Sequence, residues 1–243
     1  MVNARQKSIL DAVIREFVET AEPVSSTRLV DKYRFPFSSA TVRNDFLALD
    51  EEGYLEQPHT SAGRIPTDRG YRFFVDAHIE NTQVAAKLRN DFRVLREARD
   101  AEQFLRVAAK QIAALSDGLV FASFPESELF FASGLARVFD EPEFDDMLLR
   151  THFAELIDEF DTIMEKVFVP SDFITPRVFI GNENPIKEAR AYSMVVASLE
   201  KPYAQESIVS IIGPKRMDYS RNISLLRELQ ELLFVRKNCG DEQ

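Results

Sequence analysis

Residues 38–50, SSATVRNDFLALD, combine hydroxyl, guanidinium and amide side chains within one short helical pattern. Free N–H groups at the start of a helix bind phosphate, and arginine and asparagine make bidentate contacts with guanine and adenine edges. The pattern therefore predicts a helix suited to the major groove of DNA. The spacing also leaves open that the serines are only helix caps and that the arginine is an ordinary solvated side chain. The candidate DNA-contacting residues of this stretch are Ser38, Ser39, Thr41, Arg43 and Asn44.

Residues 57–66, QPHTSAGRIP, are a second candidate segment because they contain no acid in a chain of formal net charge -10. A loop that lies against phosphates excludes carboxylates, whereas hydroxyl, guanidinium and backbone N–H groups are donors that position a protein on a duplex. The candidate residues of this loop are His59, Thr60, Ser61 and Arg64. For His59, an ordinary solvent-facing position is the open alternative.

Apolar residues recur at helical spacing near the N-terminus and predict three short helices. Two of them precede the first candidate segment, and the third contains it. The first helix is expected to end before Pro23, and Ser25 is the expected cap of the second. Ser38 or Ser39 caps the third helix, and Gly53 ends it in the left-handed conformation.

A hairpin would carry the second candidate segment. Tyr54–Gln57 and Arg64–Pro66 can pair as two short strands around the acid-free loop, and Thr67 is the expected cap of a fourth helix. A hairpin that directly follows a recognition-type helix is the arrangement of a winged helix.

The acidic total does not exclude nucleic acid as a partner, because the acids are unevenly distributed. Residues 1–78 carry ten Lys and Arg against twelve Asp and Glu, whereas the remaining residues carry 20 against 28. Within the first segment, residues 32–44 contain three basic residues and no acid. A phosphate-facing surface is therefore compatible with the overall charge.

Two long strings of the sequence resemble a known family. EPVSSTRLVDKY and SSATVRNDFLALDEEGYLEQPHTSAGRIPTDRGYRFFVD resemble the N-terminal winged-helix domain of the heat-inducible transcription repressor family, HrcA, and IGNENP and IGPKRMDYSR resemble its C-terminal GAF-like domain. The resemblance implies a repressor that binds an inverted-repeat operator upstream of chaperone genes as a homodimer and depends on the chaperonin for its active state. It also implies that the nine candidate residues belong to the groove-facing helix and the wing.

The predicted fold class is α+β, with an N-terminal winged helix-turn-helix domain, a helical connector and a C-terminal GAF-like α/β domain. The predicted bounds are 1–80 for the DNA-binding domain, 81–116 for the connector, 117–236 for a shortened GAF-like domain and 237–243 for a tail. Helices are expected near 84–96, 101–116, 126–139, 143–166 and 218–235, and strands near 118–122, 177–181, 192–199 and 206–212.

The chain departs from the family pattern between Ser123 and Glu128. Longer members carry more strands and an inserted dimerisation domain at this point, whereas SELFFASGL follows here almost at once. The sequence therefore resembles a short form that lacks most of the insertion. The surfaces expected to pair two copies are the apolar faces of the helices at 84–96 and 101–116 and the Phe-rich stretch Phe121–Phe139.

Other classes of function lack their motifs. The sequence contains neither a nucleophile paired with a base nor a phosphate-binding loop, so an enzyme is not expected. The three histidines and the single Cys239 lack metal-ligand spacing, so neither a metal nor a cofactor is expected. No apolar run is long enough for a membrane span and no signal peptide is evident, so we expect a cytoplasmic protein without a membrane partner. The rival hypothesis is a ligand-sensing or chaperone-docking GAF-like module with vestigial DNA binding.

Overall fold

The structure is a computed structural model that describes residues 2–59, 63–78, 92–124, 129–167, 173–199 and 206–240. The chain divides into two compact units, residues 1–80 and residues 81–243. Helices and an antiparallel sheet occur together, so the predicted α+β class is confirmed.

The described residues of the first unit form four helices and one two-stranded antiparallel hairpin. In chain order its elements are α1 (Ala4–Thr20), α2 (Ser26–Tyr33), α3 (Ser39–Glu51), β1 (Leu55–Glu56), β2 (Ile65–Pro66) and α4 (Asp68–His78). The three predicted helices, the hairpin and the fourth helix are therefore all confirmed.

Local signals set most of these boundaries, as predicted. Ser25 Oγ accepts the backbone N–H of Arg28 at 3.2 Å and caps α2. Thr67 Oγ1 accepts the N–H of Gly70 at 3.1 Å and caps α4. Gly53 follows α3 with φ 73°, a left-handed conformation that glycine adopts without strain.

The helices of the first unit pack through their apolar faces. α3 buries Val42, Phe46 and Leu49, which recur every three or four residues and so share one face. The other fully or nearly fully buried apolar side chains of this core include Ile9, Leu10, Val13, Ile14, Leu29, Leu55, Tyr71 and Val75. Burial of one face of α3 leaves its opposite face toward solvent.

The second unit is built around a five-stranded antiparallel sheet of order β4-β3-β7-β6-β5. Its strands are β3 (Leu119–Phe124), β4 (Leu129–Ser133), β5 (Arg177–Ile180), β6 (Ser193–Leu199) and β7 (Ser207–Gly213). Its described helices are α5 (Ala101–Leu115), α6 (Leu135–Phe139), α7 (Met147–Val167) and α8 (Tyr219–Gly240), and short 3₁₀ segments lie at Phe92–Glu97, Pro142–Asp145, Gly181–Glu183 and Lys187–Ala191.

Helices cover both faces of this sheet. Every residue of β6 and β7 is buried, so neither face of these central strands is open to solvent. α7 contributes Phe153, Leu156 and Phe160 to a cluster on one face, where Phe160 stacks on Phe121 with ring centroids 3.8 Å apart. α5 packs on β3 and β4, and α8 packs on β6.

The helix predicted near 126–139 is wrong for residues 129–133. These residues form β4, which pairs with β3 from Phe124↔Leu129 to Val120↔Ser133. Gly134 then adopts φ 104°, so the chain can turn before the short helix α6 begins at Leu135. The sequence LFFAS suits an aromatic-rich strand, and its backbone pairing to β3 is a long-range fact that helical spacing does not reveal.

The last helix is longer than the predicted helix near 218–235. α8 continues to Gly240, so the first four residues of the predicted tail 237–243 are helical. The reason is local, because no proline or glycine interrupts the helical pattern before Gly240. Most of the helix predicted at 84–96 lies outside the described residues, and Phe92–Glu97 is a 3₁₀ segment.

The surfaces predicted to pair two copies are largely used within the second unit. The apolar face of α5, which includes Phe104, Leu105 and Ile112, is buried. Phe121 is buried too, and Phe130 and Phe139 pack against the same core cluster. These aromatic rings therefore stabilise the unit and do not form an open pairing face.

Candidate nucleic-acid interface

The outer face of α3 carries the candidate residues of the first segment. Arg43 and Asn44 are exposed on the face opposite the buried stripe, and Ser39 and Thr41 are half-buried at the first turn. Leu47 continues the same exposed face one turn further on. The structure therefore brings these side chains together on one surface, at the spacing from which the sequence predicted them.

Ser38 has a definite local role at the start of α3. Its Oγ accepts the backbone N–H of Thr41 at 3.2 Å and lies 3.1 Å from Thr41 Oγ1. Ser38 is therefore the N-cap that the sequence suggested. The first turn of α3 has no acidic residue, so its N–H groups and the positive end of the helix dipole are not masked by a carboxylate of that turn.

The side chain of Arg43 contacts α2. Its Nε donates a hydrogen bond to Oγ of the buried Ser26 at 3.2 Å, so one edge of the exposed guanidinium is tied to α2. This contact crosses 17 residues of sequence and gave no signal in the sequence pattern. Ser26 therefore acts as a positioning residue for Arg43.

A groove of about 380 Å³ runs between α2, α3 and the hairpin. Its lining residues are Ser25, Ser26, Thr27, Arg43, Phe46, Leu47, Gln57, Gly63 and Arg64. The described residues that line the groove supply hydroxyl and amide groups and two arginines, and none of them is a carboxylate. An anionic backbone would meet no like charge there.

Arg64 is bound into the framework of the first unit. Its side chain is only 10% exposed, and its Nε lies 3.1 Å from Oδ2 of Asp50, an ion pair without the geometry of a linear hydrogen bond. Its backbone exchanges two hydrogen bonds of 2.9 Å with Val24. The guanidinium of Arg64 is therefore mostly buried and ion-paired, and its predicted contact with DNA stays a prediction.

Gly63 has a steric reason to be glycine. A Cβ at this position would lie 2.3 Å from the carbonyl oxygen of Val24, because the hairpin approaches the segment before α2 closely. Of the other loop candidates, His59 is exposed, whereas Thr60 and Ser61 lie outside the described residues.

Several carboxylates of the first unit are held in ion pairs. Glu16 is fully buried, with Oε1 at 2.5 Å from Nε of Arg28 and Oε2 at 2.6 Å from Nζ of Lys32. Lys32 also donates to Glu19, and this hydrogen bond lowers the pKa of Glu19. The hydrogen bonds to Glu16 and Glu19 raise the pKa of Lys32. These pairs join α1 to α2.

The described part of the chain shows neither a metal site nor a membrane span. No group of three or more His, Cys, Asp or Glu side chains there is placed to hold a metal ion. Among the described helices, none combines the length and the hydropathy that a bilayer span requires.

Similarity to known proteins covers most of the chain. The family profile described as "HrcA protein C terminal domain" matches residues 72–223. The heat-inducible transcription repressor HrcA of Caldanaerobacter subterraneus subsp. tengcongensis is 30% identical over 332 aligned positions, which cover 94% of this chain and 96% of that protein. An alignment longer than the 243-residue chain means that the relative has segments without a counterpart here.

A shorter alignment has a higher identity. The HrcA repressor of Chloroflexus aurantiacus is 47% identical over 128 residues, which are 51% of this chain and 34% of that protein. This match thus spans about a third of the relative's length. Its identity is higher than that of the longer match.

One solved structure shares the fold. A crystal structure described only as that of a hypothetical protein superposes with a TM-score of 0.77 at 20% identity, and the match covers 96% of this chain and 98% of that one. The resemblance noted in the sequence is confirmed by the family profile and by the relatives. The chain belongs to the HrcA family of heat-inducible transcription repressors.

Proposed function

We propose that this chain is a sequence-specific DNA-binding repressor of heat-shock chaperone genes. The observation that carries the proposal is the outer face of α3, where Arg43 and Asn44 stand exposed beyond a capped first turn that has no acid. The name of the relatives, heat-inducible transcription repressor, supports the same function. In this proposal the first unit is a winged helix-turn-helix domain and the second is a GAF-like domain.

In this proposal α3 is the recognition helix and lies in the major groove of DNA. Arg43 would make a bidentate contact with guanine, and Asn44 with adenine. Ser38, Ser39 and Thr41 would contact phosphates at the first turn, where helix N–H groups favour anions. His59, Thr60 and Ser61 of the hairpin loop would add contacts to the sugar-phosphate backbone, whereas Arg64 would hold the hairpin in place.

The proposed binding species is a homodimer on an inverted repeat. A single small module makes few phosphate contacts, and specific binding at physiological salt usually combines two half-sites. Two-fold symmetry requires half-site centres separated by a whole number of helical turns, about 10 to 10.5 base pairs or a multiple. We further propose that the chaperonin modulates the active state, as the family resemblance implies.

The rival hypothesis, a ligand-sensing or chaperone-docking module with vestigial DNA binding, is less well supported. The outer face of α3 exposes Arg43 and Asn44, and the described residues that line the neighbouring groove include hydroxyl groups and no carboxylate. The relatives are named as repressors, which favours retained DNA binding.

A gel-shift titration on DNA upstream of the chaperonin genes tests this function. We expect a retarded complex containing two chains, and we expect an insertion of about five base pairs between the half-sites to abolish tight binding, because it rotates one half-site by half a turn. An insertion of about ten base pairs is the matched control for length. Binding that is equal on all three duplexes would overturn the proposed mode.

A further inference from the structure

Leu47 is an exposed leucine on the helix that we propose reads DNA. Its relative exposure is 53%, and no other large hydrophobic side chain in the described part of the first unit is as exposed. The remaining exposed large hydrophobic residues all lie in the second unit. Single exposed leucines are ordinary on protein surfaces, so exposure alone assigns no role.

The position of Leu47 distinguishes it from a scattered surface leucine. It follows Arg43 by four residues and Asn44 by three, and helical residues at these spacings are neighbours on one face. It also lines the groove between α3 and the hairpin together with Arg43 and Gln57. Leu47 is therefore an apolar side chain in a row of polar groups, on the surface that would meet the bases.

The major groove offers one apolar group to such a side chain. Each base pair presents hydrogen-bond donors and acceptors at this edge, and only thymine adds a C5 methyl group. Arginine and asparagine already supply the hydrogen-bonding contacts to guanine and adenine. We propose that Leu47 is a specificity-determining residue that contacts the C5 methyl group of a thymine in each half-site.

This inference rests on the proposed function. It is tested by a double-mutant cycle in which one change removes the Leu47 side chain and the other removes the methyl group of a thymine. Tight-binding duplexes are enriched from a random-sequence library, and each thymine of one half-site is then replaced in turn by deoxyuridine, which lacks only the methyl group. Affinities of the parent chain and of Leu47→Ala are measured by fluorescence anisotropy. Thermal unfolding confirms that the variant is folded.

We expect one thymine at which deoxyuridine weakens the parent about four-fold, equivalent to ~0.8 kcal/mol for one buried carbon group. Leu47→Ala should bind the thymine duplex more weakly than the parent does, and the same deoxyuridine replacement should leave its affinity unchanged. Leu148→Ala is the matched control, because Leu148 is 64% exposed in the second unit. This control should keep the full four-fold response to deoxyuridine.

The outcomes separate this inference from the function on which it rests. Enriched duplexes with no methyl-sensitive thymine in the parent would overturn the role of Leu47 and leave specific binding intact. Leu47→Ala is compared with the parent on each duplex separately. If the variant loses affinity by the same factor on the thymine duplex and on the deoxyuridine duplex, Leu47 makes a protein contact or a backbone contact and does not touch the methyl group. If no sequence is enriched at all, the proposed function itself fails.

Discussion

Arg5 and Asp45 form a bidentate ion pair that joins the first turn of α1 to the inner side of α3. Arg5 Nε lies 2.7 Å from Asp45 Oδ2, and Nη2 lies 3.0 Å from Oδ1. Asp45 is 5% exposed, and it directly follows the exposed Asn44 in sequence. The pair therefore fixes the rotation of α3 and keeps a carboxylate away from the face that we propose meets DNA.

The first prediction is that Arg5→Ala lowers the melting temperature of the protein by a few degrees. The substitution leaves the buried carboxylate of Asp45 without its cation, and an unpaired buried charge is more costly than a broken surface pair. Arg72→Ala is the matched control, because the pair of Arg72 with Asp76 is an i,i+4 surface contact of 3.3 Å. Equal shifts for the two variants in thermal unfolding would show that the Arg5 pair has no special structural role.

The second prediction concerns base reading by Arg43. Arg43→Ala should weaken operator binding by about 1 to 3 kcal/mol and relax the preference at one base pair. Arg43→Lys keeps the charge and removes the planar fork, so it should retain the salt dependence of the parent and lose the same base preference. Anisotropy titrations on operator and single-substituted duplexes measure both effects. If both variants discriminate between bases as the parent does, Arg43 does not read sequence.

The third prediction separates a framework role for Arg64 from a phosphate contact. Arg64→Met keeps most of the side-chain volume but breaks the pair with Asp50, so we expect a loss of about 1 to 2 kcal/mol in the free energy of unfolding. In the double variant with Asp50→Leu, much of that loss should be recovered. The slope of log K against log salt for DNA binding should stay at the parent value. A slope that falls by about one unit would instead assign Arg64 to a phosphate.

The fourth prediction tests the buried amide of Asn184 in the second unit. Its Nδ2 lies 3.0 to 3.1 Å from the carbonyl oxygens of Gly181, Ala189 and Tyr192. Asn184→Asp would replace this donor with a carboxylate facing three acceptors, and we expect a loss of about 2 to 4 kcal/mol in the free energy of unfolding. Glu188→Gln, a swap of similar size at an exposed position of the neighbouring 3₁₀ segment, is the control and should change stability little. Denaturant unfolding that gives equal losses for the two variants would contradict this role.

Local signals made much of the first unit predictable from sequence. Ser25, Ser38 and Gly53 act within three or four residues of their own position, so the sequence pattern contains their partners. The exposed positions of Arg43 and Asn44 followed in the same way, because burial of one helix face determines which residues lie on the other.

Long-range contacts were not predictable from the same patterns. Arg64 was assigned to phosphate because its loop lacks acids, but its partners Val24 and Asp50 come from other elements that meet it only in the folded unit. The strand at Leu129–Ser133 was assigned to a helix because its pairing with β3 is a tertiary property. Periodicity reports which face is apolar, whereas it does not report which surface covers that face.

The most direct test of the central claim is the ratio of affinities for specific and nonspecific DNA. The dissociation constant of the full chain is measured at physiological salt on its enriched inverted repeat and on a scrambled duplex of the same length and composition. A DNA-reading repressor should bind the inverted repeat about 10³-fold or more tightly, and Arg43→Ala should reduce this ratio at its own base pair. A ratio near one for the parent chain would contradict the claim that α3 reads sequence.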